Sequence, residues 1–234
     1  MDVAASSGVS TMEWVEHLNS RNIRHCMVAG DLTVKAFLIS IGKNLKILID
    51  SSGYPLQYDI FGHSVTNSEC YPVARRITYA IPVYLANLAF RVFWYFSSSL
   101  KRYVEGGEDH YTSFAGVSCQ PLAVISPRLQ KSHSIDFIED DIISDNNPQL
   151  LRSFHAIRAA NILNKSYFDE ENLNKILSVL ASRLRDHGLL IICRTDLDGV
   201  NHATIFMLTD DGSFEIVSEL GGGTEVVELV LNLF

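Results

Sequence analysis

The chain has 234 residues, 47% of them hydrophobic and 20% charged, a composition that suits a globular core and excludes disorder on the scale of the whole chain. Its formal net charge of −8 argues against broad electrostatic capture of nucleic acid and turns attention to a small-molecule or protein substrate. Four scattered cysteines, Cys26, Cys70, Cys119 and Cys193, form no CxxC pair, so they read as reduced thiols of a cytoplasmic protein rather than as a zinc or redox motif.

No basic segment leads into an apolar run at the N-terminus, so no secretory signal is expected there. Thr11 to Asn22 reads as a helix, with Thr11 as cap, Glu13 and Glu16 in the first turns, and Met12, Val15 and Leu18 on an apolar face. LTVKAFLISI and LKILI are β-rich runs separated by Gly42-Lys43-Asn44, a hairpin pattern. DSSGYPLQYDIFGHSV is dense in Gly, Pro and Asp and reads as a structured loop or a second hairpin.

Tyr71 to Tyr103 reads as one or two helices, with Pro82 marking a break or a helix start. Its apolar stretch, Tyr79 to Phe96, is interrupted by Pro82, Asn87 and Arg91, which favours a buried or amphipathic helix over a membrane span. Gly106-Gly107 and the polar residues around them read as a connector. The expected organisation is an N-terminal α+β lobe over 1–105 and a second domain over 106–234.

From Pro121 the pattern alternates strands and helices. PLAVIS, IDFIED and HAIRAA are strand-like, Asp169 to His187 is an amphipathic helix with Gly188 as its left-handed C-terminal residue, and LLIICRT is a strand buried on both faces. ATIFMLT and FEIVSEL flank the turn DDGS as a hairpin. LGGGTEVVELVLNLF reads as a turn into a last edge strand.

The segment FHAIRAANILNKSYFDEENLNKILSVLASRLRDHGLLIICRT resembles the strand 4, helix, strand 5 portion of class I S-adenosylmethionine (SAM) methyltransferases, with a rhythm similar to that of the chemotaxis-receptor methyltransferases. FIEDDIIS resembles the end of their strand 3, and LAVISPRL their strand 2. The resemblance implies an α/β Rossmann-like sheet with a C-terminal antiparallel hairpin, and SAM as cofactor or substrate with no metal. It implies cofactor contacts from Asp140, Asp141 and Ile142 around adenine and from Ser126, which stands where an acidic residue normally holds the ribose. Arg128, Arg158 and Ala160 complete that expected set. The glycine-rich GxGxG loop of the family has no counterpart in the sequence by spacing, so either strand 1 is expected to be remodelled, or SAM binding to be unusual or absent.

Asn161 and Asn164, three apart, are expected to face the same way and to hold a SAM amino acid moiety or an acceptor. Tyr167 would offer a π face or hydroxyl to a sulfonium, and His202, in GVNHATIF, a base near neutral pH. Tyr58, Asp59, Arg75 and Tyr79 are expected to line a lid over a small-molecule substrate. Nucleic acid and membrane partners are not expected, and a homo-oligomer is compatible with the composition. Methyl transfer is the leading activity. Attack on the aminocarboxypropyl chain, as in azetidine-2-carboxylate formation, and a catalytically inactive binding module are the alternatives.

Overall fold

A computed structural model describes residues 1–66, 73–114, 116–130, 132, 134–143, 147–196 and 198–233. The chain divides into two compact units, Met1–Val34 with Ile125–Phe234, and Lys35–Val124. The first opens with β1 (Asp2–Val3), α1 (Val9–Ser20) and β2 (Met27–Asp31). The second holds β3 (Lys35–Ile41), β4 (Leu45–Asp50), β5 (Pro55–Ile60), β6 (His63–Thr66), α2 (Val73–Phe96), α3 (Ser98–Glu105), β7 (Thr112–Phe114) and β8 (Val117–Ala123). The first unit resumes with α4 (Pro127–Gln130), β9 (Ile135–Glu139), β10 (Phe154–Ala160), α5 (Glu170–Arg183), β11 (Leu184–Thr195), β12 (Asn201–Leu208), β13 (Phe214–Leu220) and α6 (Val227–Leu231).

The first unit is built on a seven-stranded sheet of order β13-β12-β11-β10-β1-β2-β9. β9, β2, β1, β10 and β11 are parallel, and β12 and β13 follow as an antiparallel hairpin. Counted along this unit alone, the order is that of a doubly wound sheet, 3-2-1-4-5, with two strands added at one edge. Adjacent residues of β2 point to opposite faces, and they enter different cores. Val28 packs with the helix α5 side chains Leu173, Ile176, Leu177 and Leu180, whereas Met27 and Ala29 pack with Val15 of α1 and Leu129 of α4. Helices therefore cover both faces, as a parallel sheet requires. The α5 stripe forms as its sequence predicts, and Asp169 caps it by accepting from Asn172 N–H at 2.9 Å.

The second unit is a six-stranded antiparallel sheet of order β6-β5-β4-β3-β8-β7. Phe37, Ile39, Ile47, Ile49 and Tyr58 form its buried face against Phe90 of α2 and Leu100, Tyr103 and Val104 of α3. Helix α2 runs through Pro82, where a break was expected, and no helix among the described residues is long and apolar enough to cross a membrane.

Several expectations are corrected. The division falls at Val34/Lys35 and Val124/Ile125 rather than near residue 105, because residues 1–34 supply the first two parallel strands of the doubly wound sheet. PLAVIS is not the second strand of that sheet. Its first part belongs to β8, which pairs antiparallel with β3 (Leu122 opposite Ala36), and β2 is the second strand instead. An apolar run announces a strand but not its partner, and here a strand eighty residues earlier decides. Helix α6 replaces the expected last edge strand, since Val226 and Val230 are buried in the main core. The left-handed residue after α5 is His187, not Gly188; glycine is required at 188 because a Cβ there would lie 2.7 Å from the Arg185 carbonyl oxygen.

Asp140, just beyond β9, makes two 2.8 Å hydrogen bonds with the Arg183 guanidinium at the end of α5, and both side chains are buried. It is thus a strut between helix and sheet rather than a cofactor ligand as expected. Gly30 accommodates the strut, since a Cβ there would meet Asp140 Oδ2 at 3.0 Å. Arg183→Met strands a buried carboxylate and is expected to cost about 3–5 kcal/mol in urea unfolding, whereas pairing it with Asp140→Leu should recover most of that loss. A double variant no more stable than the single one would show that the pair is not the source of the cost.

Candidate functional site

In a doubly wound sheet, ligands bind beyond the carboxyl ends of the strands, at the point where the strand order reverses. Here that point lies between β1 and β10. Strand β1 has only two residues, and Asp2 faces Arg158 of β10 in register. The Asp2 carboxylate is buried. It accepts from Arg158 Nε at 2.9 Å and Nη2 at 2.5 Å, and from Thr11 Oγ1 of α1 at 2.5 Å. Arg158 also donates to Ser10 Oγ at 3.0 Å, and its guanidinium carbon lies 4.9 Å from the Trp14 ring centroid. Arg158, expected to bind cofactor, is therefore committed to joining β10, β1 and α1.

Between β1 and α1 the chain runs Ala4-Ala5-Ser6-Ser7-Gly8. Ala4, Ser6 and Gly8 all have positive φ, at 53°, 53° and 74°, so the loop takes left-handed steps usually left to glycine. Small side chains keep the backbone approachable. Gly8 alone cannot be replaced cheaply, because a Cβ would stand 2.3 Å from Leu129 Cδ2. Ser6 N–H donates to Asp31 Oδ2 at 2.6 Å, placing the acid at the end of β2 against the loop. Ser7 carbonyl accepts from Ser126 N–H at 2.8 Å.

A loop of glycine-like backbone after the first strand and an acid at the end of the second, neither evident from sequence spacing, thus stand together at the carboxyl edge. The loop lies at residues 4–8 with alanine and serine at positions of glycine-like backbone. Asp31, not Ser126, ends the second strand. Ser126 instead starts α4, accepting weakly from Leu129 N–H at 3.3 Å, and Arg128 on the same helix pairs with Glu16 of α1. The legible signal was DVAASSG followed by a helix and MVAGD, but a two-residue strand is too short to show an alternating pattern.

At the carboxyl end of β10, Ala160 is half-buried and Asn161 has φ of 60°. Asn161 N–H donates to the Cys193 carbonyl, and its Oδ1 accepts from Thr195 N–H at 2.7 Å, tying β10 to β11. Asn164 does not share that direction. Its Oδ1 accepts from Ser166 N–H and Oγ and from Tyr167 N–H, so it caps its own turn. Tyr167 is 58% exposed on that turn. Beyond β9, Asp141 is half-buried and accepts from Ile143 N–H at 2.9 Å, while Ile142 is buried in the main core. Burial pushes the Cys193 thiol above its ordinary range, which leaves no ready thiolate here.

His202 is clamped rather than poised. Its Nδ1 accepts from Gly222 N–H at 2.8 Å, which fixes the Nε2–H tautomer facing Asp196 Oδ2 at 3.1 Å. Both ring nitrogens are used, so His202 positions the GGG turn and does not act as the expected base. Gly221 is needed there because it has φ of 60° and a Cβ would lie 2.8 Å from His202 Nδ1. Among the residues expected to form a lid, Tyr58 is buried in the second unit. It donates to Asn87 Oδ1 at 2.6 Å, and burial pushes its phenol up to about 12. Asp59 accepts from Gly62 N–H in the β5–β6 turn. Arg75 and Tyr79 fall on α2 with side chains outside the described residues.

A scan against family models and a search of curated proteins give no match. Among solved structures, the chain is similar to the CMeT domain of the citrinin polyketide synthase (14% identity, TM-score 0.36), covering 82% of this chain and 27% of that one. It is also similar to the sugar N-methyltransferase KedS8 from Streptoalloteichus sp ATCC 53650 (12% identity, TM-score 0.36, 99% of this chain and 68% of that one). A SAM-dependent methyltransferase from Clostridium acetobutylicum ATCC 824 gives 12% identity and a TM-score of 0.33 over 99% of this chain and 70% of that one. The chain spans about a quarter of the first of these. By its own strand order and its reversal between β1 and β10 the fold is a Rossmann-like doubly wound sheet with an antiparallel pair at its C-terminal edge.

Val200 N–H, His202 and Asp198 N–H hold the Asp196 carboxyl below its ordinary 3.8, with the Val200 contact the largest cause. A lowered folded value means a contribution present above 3.8 and lost as pH falls through the folded value. Asp196→Asn should therefore lower the unfolding midpoint at neutral pH, with the two proteins converging in acid. A gap that persists unchanged into acid would rule out this carboxylate as its source.

Proposed function

We propose that the protein is a SAM-dependent methyltransferase acting on a small molecule, with SAM held across the β1/β10 reversal. The observation that carries this reading is the Ala4–Gly8 loop meeting Asp31 at the carboxyl edge of adjacent parallel strands. The residues fit the group. Asp31 accepts from Ser6 N–H at 2.6 Å and weakly from Thr33 N–H at 3.3 Å, and a carboxylate has capacity left for a ribose diol. The loop backbone is lined by nothing larger than serine, so it can lie against the amino acid part of the ligand. Asp141 and Ile142, beyond β9 on the same edge, would meet adenine.

When bound, SAM supplies an electrophilic methyl group on a sulfonium. The chain's contribution is positioning: the Asp2–Arg158 pair fixes the two strands, and Asn161 fixes the end of β10 against β11. In-line displacement requires alignment and exclusion of water more than a strong base, which suits a site whose histidine is already committed. The small-molecule acceptor is supported by the acidic balance of the chain.

Calorimetry with S-adenosylhomocysteine should give saturable binding. Asp31→Asn keeps an acceptor for Ser6 N–H but loses the charge, and should weaken binding about tenfold to a hundredfold, while Arg128→Ala leaves it unchanged. Absence of binding, or equal affinity in Asp31→Asn, would reject the SAM reading. With SAM and an acceptor, S-adenosylhomocysteine is the expected product, and methylthioadenosine would instead indicate attack on the aminocarboxypropyl chain.

A further inference from the structure

In the second unit, the β3–β4 and β5–β6 turns lie side by side, with Phe61 N–H donating to the Asn44 carbonyl at 2.8 Å. Together with α2 they bound an open groove of about 610 Å³, inside the ~300–1,000 Å³ range of small-molecule sites. Its walls are Ile41, Leu45, Ile47, Ile60, Phe90 and Phe93, and Ala86 and Ala89 leave room on the helix side. The Tyr58 hydroxyl that reaches this region is spent on Asn87, so the floor offers little polarity. Lys43 stands in the β3–β4 turn at the rim, exposed, and makes no ion pair among the described residues.

Phe61 adds an independent sign. The β5–β6 connection is a two-residue turn, with Ile60 opposite His63, and both Phe61 and Gly62 have positive φ, at 53° and 80°. Such turns favour Asn-Gly, and a bulky side chain in left-handed backbone is strained. Here the strained residue is a phenylalanine, 73% exposed, at the lip of the groove. Turn formation alone does not explain it. Strain held at an exposed aromatic beside a cavity is the pattern of a binding residue.

We propose that this groove binds an apolar carboxylate of the acyl-chain class, its body between Phe90, Phe93 and the sheet, Phe61 closing over it, and its head group at Lys43. The site stands apart from the transferase reading and does not rest on it. The charge argument is specific: an apolar channel whose rim carries Lys43, unpaired among the described residues, selects an anion with an apolar tail over a neutral or cationic one.

The test is calorimetric titration of the full chain with dodecanoate below its micelle concentration, with dodecanol and dodecyltrimethylammonium in parallel. Dodecanoate should bind most tightly. Lys43→Gln should weaken dodecanoate and leave dodecanol unchanged, and Lys43→Arg should restore it. Phe61→Asn should weaken both by about tenfold or more without lowering the melting temperature, since it relieves the turn; Ala89→Trp should abolish both by filling the groove. No binding of dodecanoate, equal affinity for the three probes, or indifference to Lys43→Gln would overturn the proposal. So would a dimer in sedimentation that Phe61→Asn dissolves, because a second copy would then be the occupant.

Discussion

Everything at the β1/β10 reversal depends on one buried ion pair. A two-residue strand contributes too little backbone to hold its place between β2 and β10, yet it must do so for the sheet to reverse there. Asp2 solves this by side-chain chemistry. Its buried carboxylate is satisfied by the Arg158 fork and the Thr11 hydroxyl, and Arg158 is in turn satisfied by Ser10 and covered by Trp14. A buried charge without such a set would be severely destabilising. With it, strand, helix and partner strand take a single arrangement, and the Ala4–Gly8 loop emerges from a fixed base.

The second buried pair works the same way between β9 and α5. Asp140 and Arg183 fasten the end of α5 to the sheet, and α5 passes straight into β11 without a separate loop. Each pair includes a residue, Arg158 or Asp140, that the resemblance assigns to a ligand site. Their polarity serves the scaffold, leaving the exposed edge to small residues, Asp31, Asp141 and Asn161.

The sheet from β9 to β13 is legible in the residues between Ile135 and Leu220, because long apolar runs, a capped amphipathic helix and a hairpin turn carry strong local signals. The first strand and its loop were not. Asp2–Val3 is too short for alternation, and alanine and serine occupy the left-handed positions where glycine would have announced the loop. The second strand was mistaken for an apolar run that pairs in the other sheet, since partner choice is a long-range property. Likewise the roles of Asn164, Arg158 and His202 turned on which neighbours consumed their hydrogen-bonding capacity. Spacing along the chain does not disclose that.

The second unit enters and leaves by adjacent strands: Lys35, the first residue of β3, pairs with Ala123 near the end of β8. Its ends are therefore tied together by its own sheet. For folding this matters, because β2 must find β9 (Met27 opposite Ile135) and β1 must find β10 (Asp2 opposite Arg158) across long stretches of chain, and the entropy lost in closing such a span grows with its length. Once the β3–β8 ladder has zipped, the intervening residues no longer count as free chain, and β2 and β9 are joined by what is kinetically a short connection. Loop-closure entropy thus favours an order of assembly in which the β3–β8 ladder forms before β2 pairs with β9.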